Sequence, residues 1–280
     1  MKLAELSAIL EKLDMHPSKT LGQNFLVDDN CLSALVKAAA PQAGENILEI
    51  GPGTGVLTQR LLEAGCKVTA VEFDSRLAGY LRGKYAGNPN LRLIEADACK
   101  VNYGELFPVG TTFRCVANLP YSCASVLLAT LTDSPNPPTS FHVLLQKEMA
   151  ERLAAQAGTA AYGVLTVRLA FRYAAKIVRI VPHGVFYPPP EVDSAFLALE
   201  AREEPLGDEA LVKTAGKLAA AAFSQRRKQA RRLLEGVAPG VDFVKALGDL
   251  GLPATARAEI ITPQQFIQLA RIANELRNHI

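Results

Sequence analysis

Two short stretches of this chain combine residue types at spacings that suit chemistry. The first is Asn118-Leu119-Pro120-Tyr121. Its groups are hydrogen-bond acceptors beside an aromatic face, which is what an exocyclic amine on a flat base requires. The nitrogen of such an amine, as in adenine, is a poor nucleophile because its lone pair is delocalised into the ring. A protein can accept hydrogen bonds from the two N–H groups and so turn the lone pair toward an electrophile. Asn118 offers a side-chain carbonyl oxygen, and Leu119 or Pro120 a backbone one. A proline after Leu119 biases that residue away from helix and holds its carbonyl outward. Tyr121 offers a ring for the base to stack on, worth roughly 1–3 kcal/mol per base in nucleic-acid complexes. Taken alone, the tetrad is also compatible with an ordinary turn at a strand end.

The second stretch is Glu49-Ile50-Gly51-Pro52-Gly53-Thr54-Gly55. Glycines at this spacing suit a backbone that turns sharply while a ligand approaches it closely. Glu72 follows about twenty residues on, the spacing of a carboxylate that accepts both hydroxyls of a ribose. A nicotinamide site usually spaces its glycines G-x-G-x-x-G and seats a pyrophosphate. Here the spacing is G-x-G-x-G, and Glu49 would repel a pyrophosphate. The same acid favours the sulfonium and ammonium groups of S-adenosylmethionine. Asp97 is either an acceptor for the adenine amine of that cofactor or a helix N-cap.

These residues need elements to hold them. Alternating short apolar runs and amphipathic segments predict parallel α/β structure, with strands at 46–50, 67–72, 91–95, 113–117 and 141–145. Glu49, Glu72, Asp97 and Asn118 then fall at the carboxyl ends of strands, where open α/β sheets bind ligands. Segments 164–173, 176–181 and 195–200 are expected to complete the sheet. Helices are expected over 1–13, 29–40, 56–64, 76–85, 125–130 and 147–157, with an ordered loop over 19–28. Residues 203–207 have the composition of a linker, which divides the chain into domains 1–204 and 205–280. Beyond it, 209–234, 241–247 and 263–276 read as helices. The fold class is therefore a Rossmann-like α/β sheet with a small all-helical C-terminal domain.

Composition narrows the setting. The net charge is +2 and nearly half the residues are apolar, enough for a sizeable core. No apolar run reaches the length of a membrane span, and the acids among the first fifteen residues disfavour a signal peptide. A cytoplasmic protein with no membrane partner is expected. Five scattered cysteines form no C-x-x-C pair and share no ligand spacing with the four histidines, so neither a disulfide framework nor a metal site is expected.

At this point the chain resembles the small-subunit (16S) ribosomal RNA adenine N6-dimethyltransferases, relatives of the erythromycin-resistance rRNA methylases. The resemblance rests on Gly22-Gln23-Asn24-Phe25-Leu26, the glycine loop, Glu72, Asp97, the tetrad, Gln146-Lys147-Glu148, the run FYPPPEVDS from Phe186 to Ser194, FSQRRK from Phe223 to Lys228, and Arg257-Ala258-Glu259. It implies a class I methyltransferase using S-adenosylmethionine. The target is two adjacent adenines in a hairpin loop near the 3′ end of small-subunit rRNA, modified as part of subunit biogenesis. It also implies that Asn24, Leu26, Gly51, Gly53, Glu72, Asp97 and Asn118 hold the cofactor. Asn118, Leu119 and Tyr121 would hold the target adenine, and Phe186 would stack on its other face. The chain departs from the family pattern at Ser122-Cys123-Ala124-Ser125 and at Thr20-Leu21, which bears on RNA contacts more than on chemistry.

Arg226, Arg227, Lys228, Arg231 and Arg232 cluster in the C-terminal domain. Read on one helix, Arg227/Arg231 and Lys228/Arg232 stand four apart and form a basic stripe. Arg226, Arg227, Lys228 and Arg231 are the candidate phosphate contacts, which would make RNA binding salt-dependent. The partner expected is small-subunit rRNA, free or in a precursor particle, bound by a monomer. The alternatives are a large-subunit rRNA methylase of the antibiotic-resistance type and an assembly checkpoint factor in which catalysis is secondary.

Overall fold

A computed structural model describes residues 1–18 and 22–278. The expected 19–28 loop lies partly outside the described residues, as do Thr20-Leu21 and His279. In chain order the elements are α1 (Leu3–Lys12), β1 (Phe25–Leu26), α2 (Asp29–Ala39), β2 (Asn46–Ile50), α3 (Val56–Glu63), β3 (Lys67–Glu72), α4 (Ser75–Lys84) and β4 (Leu91–Glu95). Next come α5 (Tyr103–Leu106), β5 (Arg114–Asn118), α6 (Ala124–Thr132), β6 (Ser140–Gln146), α7 (Lys147–Leu153), α8 (Val164–Ala170), β7 (Tyr173–Val181), β8 (Phe186–Tyr187) and β9 (Ser194–Ala201). The chain ends with α9 (Glu209–Phe223), α10 (Ala230–Glu235), α11 (Phe243–Asp249) and α12 (Pro263–Asn278).

The chain packs as two units. One comprises Met1–Ala150 with Lys176–Glu200; the other comprises Glu151–Ala175 with the chain from Ala201 on. Residues 151–175, placed by a linear division at residue 204 in the sheet domain, pack instead with the helices that follow.

The first unit is built on a seven-stranded sheet in the order β4-β3-β2-β5-β6-β9-β7. Its first five strands run parallel, and β9 returns antiparallel to β6. Buried on both faces, the inner parallel strands β2, β5 and β6 read as nearly unbroken apolar runs, whereas the edge strand β4 is only partly buried. Ile47, Val68, Ala70, Val116, Leu144 and Phe196 share a core with Leu32 and Leu35 of α2. Strand geometry and helix caps fix where the loops start. Asp28 caps α2 by accepting the Cys31 N–H at 2.6 Å. Asp74 caps α4 through the Arg76 and Leu77 N–H groups. A two-residue antiparallel ladder joins β1 to β8, pairing Phe25 with Tyr187 and Leu26 with Phe186.

The second unit is helical, with Tyr162, Val167, Phe171, Leu218, Leu234, Phe243 and Phe266 in one buried cluster. Two expectations are overturned here. Residues 164–173 were expected as a strand of the sheet, but 164–170 is the helix α8, although Val164, Thr166 and Val167 are β-branched. Thr166, Val167 and Leu169 are buried there, and packing overrides local propensity. The single helix expected over 209–234 is broken at residues 224–229, so the basic stripe on one helix face does not exist. The break has two visible causes. The Arg226 guanidinium donates to the carbonyls of Ala160 and Tyr162, at 3.0 and 3.1 Å, and the Ala230 N–H donates to the Ala256 carbonyl at 2.7 Å. Continuing the helix would forfeit those bonds and stack three cations in one turn.

Candidate active site

The site begins where β2 ends. Gly51, Gly53 and Gly55 all have positive φ, so the backbone turns in a region that side chains disfavour. At Gly53 space is limiting as well: a Cβ would sit 3.2 Å from Phe25 Cε1. The bare loop forms one side of a cavity of about 290 Å³, and the β1 segment forms another.

Three acids stand at the ends of three neighbouring strands and line this cavity. Glu49 is 1% exposed, and Thr58 Oγ1 donates to its carboxyl at 2.7 Å. Burial, assisted by the nearby Glu72 charge, pushes its pKa up to about 8. Glu72 is also buried, which raises its pKa, while its carboxylate accepts the backbone N–H groups of Gly53 at 3.0 Å and Asp74 at 2.9 Å and is further favoured by that of Phe73. A carboxylate offers about four lone-pair directions, so it retains capacity for a ligand hydroxyl. Asp97 starts a turn, not a helix; its side chain accepts the Cys99 N–H at 2.9 Å and lies 3.4 Å from the Lys100 ammonium.

At the end of β5 the tetrad is anchored from behind. The Asn118 side-chain N–H donates to the Asn24 carbonyl at 3.2 Å, which commits the amide nitrogen and turns Oδ1 the other way. The Leu119 N–H donates to Leu144 O at 2.9 Å, continuing the β5–β6 ladder one residue past the strand. The Pro120 carbonyl accepts the Cys123 N–H at 3.2 Å, so of the two backbone carbonyls weighed from sequence, Leu119 keeps the uncommitted one. The Tyr121 hydroxyl is hydrogen-bonded to Ser194 Oγ. Burial raises the Tyr121 pKa, and the Ser194 bond opposes that rise.

Asn24, Leu26, Gly51, Gly53, Glu72, Asp97, Asn118, Leu119 and Tyr121 therefore meet around one cavity, all within the first unit. Phe186 does not join them. It is 3% exposed and packs in the core with Leu26, Val181 and Phe196, because the β1–β8 ladder directs it inward opposite Leu26. Its neighbour Tyr187 is the exposed ring of that segment. Arg226, Arg227, Lys228 and Arg231 lie in the second unit; the first three are exposed in the 224–229 turn and Arg231 is on α10. Sequence reasoning passed over Phe73, which follows Glu72, lines the cavity and is 59% exposed. A large apolar residue directly after a strand-end acid was the available signal. Ser194 was seen only as the last residue of the FYPPPEVDS run, with no role of its own.

The sequence profile of ribosomal RNA adenine dimethylases matches residues 16–275. The chain belongs to the ribosomal RNA adenine dimethylase family. Similar proteins of this kind include the ribosomal RNA small subunit methyltransferase A of Brucella suis, 39% identical over 96% of both chains. That of Erythrobacter litoralis is 40% identical over 96% of this chain and 95% of its own. Among solved structures, a dimethyladenosine transferase from Plasmodium falciparum is similar with a TM-score of 0.76 and 26% identity, over 90% of this chain and 98% of that one. The 23S rRNA methyltransferase ErmE gives 0.69 and 28%, over 90% and 100%. As a dimethylase of this family, the protein is an S-adenosylmethionine-dependent rRNA adenine dimethyltransferase. The cavity fits that cofactor. Its glycine side has no room for a Cβ at Gly53, Glu72 retains hydroxyl-accepting capacity, and Glu49 is a buried carboxyl facing a space suited to cationic groups. No helix among the described residues is long and apolar enough to cross a membrane.

Proposed function

We propose that the protein dimethylates the N6 amines of two adjacent adenines in the 3′-terminal hairpin loop of small-subunit rRNA, acting as a cytoplasmic monomer during subunit biogenesis. The reading is supported by the relatives named ribosomal RNA small subunit methyltransferase A at 36–40% identity. The observation that carries the chemistry is the orientation of Asn118, whose amide nitrogen is held by the Asn24 carbonyl.

In this reading Asn118 Oδ1 and the Leu119 carbonyl accept the two N–H groups of the target amine, and Tyr121 stacks on its base. The acceptors hold the lone pair in line and stabilise the positive charge that develops on nitrogen. Neither needs to take a proton, which leaves to water after transfer. The cofactor supplies, when bound, a methyl group on a cationic sulfur. Gly51, Gly53, Glu72 and Asp97 hold its nucleoside, with Asn24 and Leu26 packing from the β1 side, and Glu49 favours its cationic end. A base in a loop leaves its stack at lower cost than one in a duplex, which suits a hairpin target. The helical unit binds RNA phosphates through the exposed 224–229 turn, with Arg227 and Lys228 as its uncommitted cations and Arg231 beside them.

The test is methyl transfer from labelled cofactor onto unmodified small subunits, large subunits and duplex DNA, with the modified base mapped. Label confined to two neighbouring adenines of the small-subunit rRNA is the expected result. Label on large subunits in place of small ones refutes the proposal.

A further inference from the structure

Ser194 is fully buried at the start of β9, where its register partner across the antiparallel ladder is Gln146 of β6. Its position is fixed from several directions. The Asp193 carbonyl accepts the Lys147 N–H at 2.9 Å, and the Asp193 carboxylate accepts both the backbone N–H of His183 at 3.1 Å and its ring Nδ1 at 3.0 Å. From this pinned strand end, Ser194 Oγ is hydrogen-bonded to the hydroxyl of Tyr121. The backbone of Tyr121 is hemmed in too, since a Cβ on Gly22 would lie 3.4 Å from the Tyr121 nitrogen. The tyrosine is thus held at both ends of its long axis, by a turn at Cα and by a strand at its hydroxyl.

We propose that Ser194 is a positioning residue for methyl transfer: it fixes the Tyr121 ring at the angle on which the target adenine stacks. The inference rests on the reading of Tyr121 as the stacking platform. The physical argument is an asymmetry. Swinging Tyr121 away from the core strands a fully buried serine hydroxyl without a partner, whereas swinging an unanchored tyrosine costs little. The anchor also settles what the phenol does not do. With its hydroxyl turned into the protein interior, Tyr121 presents a ring face to the base and has no acid–base part in the reaction. Asn118 is held the same way from the other side, by the Asn24 carbonyl. Both groups that meet the base are therefore preset before it arrives, which is where orientation contributes to rate.

Steady-state methylation of unmodified small subunits by Ser194→Ala, Tyr121→Phe, the double variant and Tyr121→Ala tests this. Cofactor Kd is measured for each, as a check on folding. Ser194→Ala is expected to lower kcat roughly threefold to tenfold, the equivalent of one hydrogen bond, with the cofactor Kd changed by less than about twofold. Tyr121→Phe should match it. The double variant should be no slower than either single one, because removing both partners strands neither. In a loop oligonucleotide carrying 2-aminopurine at the target position, the quenching caused by stacking should weaken in Ser194→Ala. A purely structural serine would change thermal stability while leaving kcat and quenching as in the unsubstituted protein, and that outcome overturns the inference. Multiplying losses in the double variant also overturn it. Tyr121→Ala separates the two layers: full activity there sinks the platform reading itself, whereas a dead Tyr121→Ala beside a fully active Ser194→Ala sinks only the positioning role.

Discussion

Replacing Glu49 with Gln should make the ligand-free protein more stable at mildly alkaline pH. The carboxyl is 1% exposed, and its pKa is about 8 against an ordinary value of 4.5. Between those values the folded protein keeps a proton that the unfolded chain has released. The unfolded state therefore binds fewer protons, and stability falls as pH rises, by about 1.4 kcal/mol per pH unit. His142 acts in the opposite sense. Burial, and then the Arg114 charge, lower its pKa to about 4 from 6.5, so stability falls as pH drops through 6.5 toward 4. The two slopes largely cancel between pH 4.5 and 6.5. From 6.5 to 8 Glu49 acts without that opposition and removes about 2 kcal/mol. Glu72, also raised by burial, adds a loss of the same sign that persists in the variant. Glutamine keeps an oxygen for the Thr58 hydroxyl and has no charge to desolvate. Calorimetric midpoints at pH 6.5 and 8 should converge for Glu49→Gln relative to the unsubstituted protein by roughly 4 °C. The same variant should lose its preference for the cationic cofactor over the neutral thioether product. An unchanged pH slope in Glu49→Gln would show that the carboxyl is ionised when the cavity is free, and the reasoning fails.

Four further outcomes follow from the geometry. Asn118→Ala should abolish methyl transfer while cofactor binding by calorimetry stays measurable; full activity refutes the acceptor role. Gly53→Ala, forced to positive φ with its Cβ 3.2 Å from the Phe25 ring, should lose about 1–3 kcal/mol of stability and weaken cofactor binding, read by thermal melts with and without cofactor. Arg227→Ala should reduce the slope of log affinity for RNA against log salt by about 0.7 without changing stability. Arg226→Ala should instead destabilise the helical unit, because that guanidinium holds the Ala160 and Tyr162 carbonyls; equal behaviour of the two variants refutes the division of labour.

The inner parallel strands were legible because burial on both faces leaves apolar runs that little else produces, and Glu49 and Asn118 lie where such runs stop. The glycine loop and Asn118-Leu119-Pro120-Tyr121 were legible for the related reason that their chemistry is local in sequence. What escaped was set by distant partners. Val164 to Val167 looks like strand until the helical core that buries it is known. The 226–228 cations look like a helix face until Arg226 is seen donating to carbonyls more than sixty residues away. Phe186 looks like either a core or a stacking residue, and only its register with Leu26 decides. Ser194 closes a recognisable run, yet its role is not legible there, because its meaning lies in a tyrosine of another strand end.

The two-residue ladder between β1 and β8 has a consequence for how the enzyme comes into being. It joins Phe25 and Leu26 to Phe186 and Tyr187, so one wall of the cavity is fastened by chain made much later than the glycine loop it faces. Closing so long a loop is entropically slow, and contacts of this separation form late in folding. During synthesis the nucleotide-binding strands emerge first, yet the wall facing them stays unfastened until the ribosome has translated past residue 187. An enzyme that modifies ribosomal RNA is thus kept unfinished by the ribosome making it until most of its own message has been read.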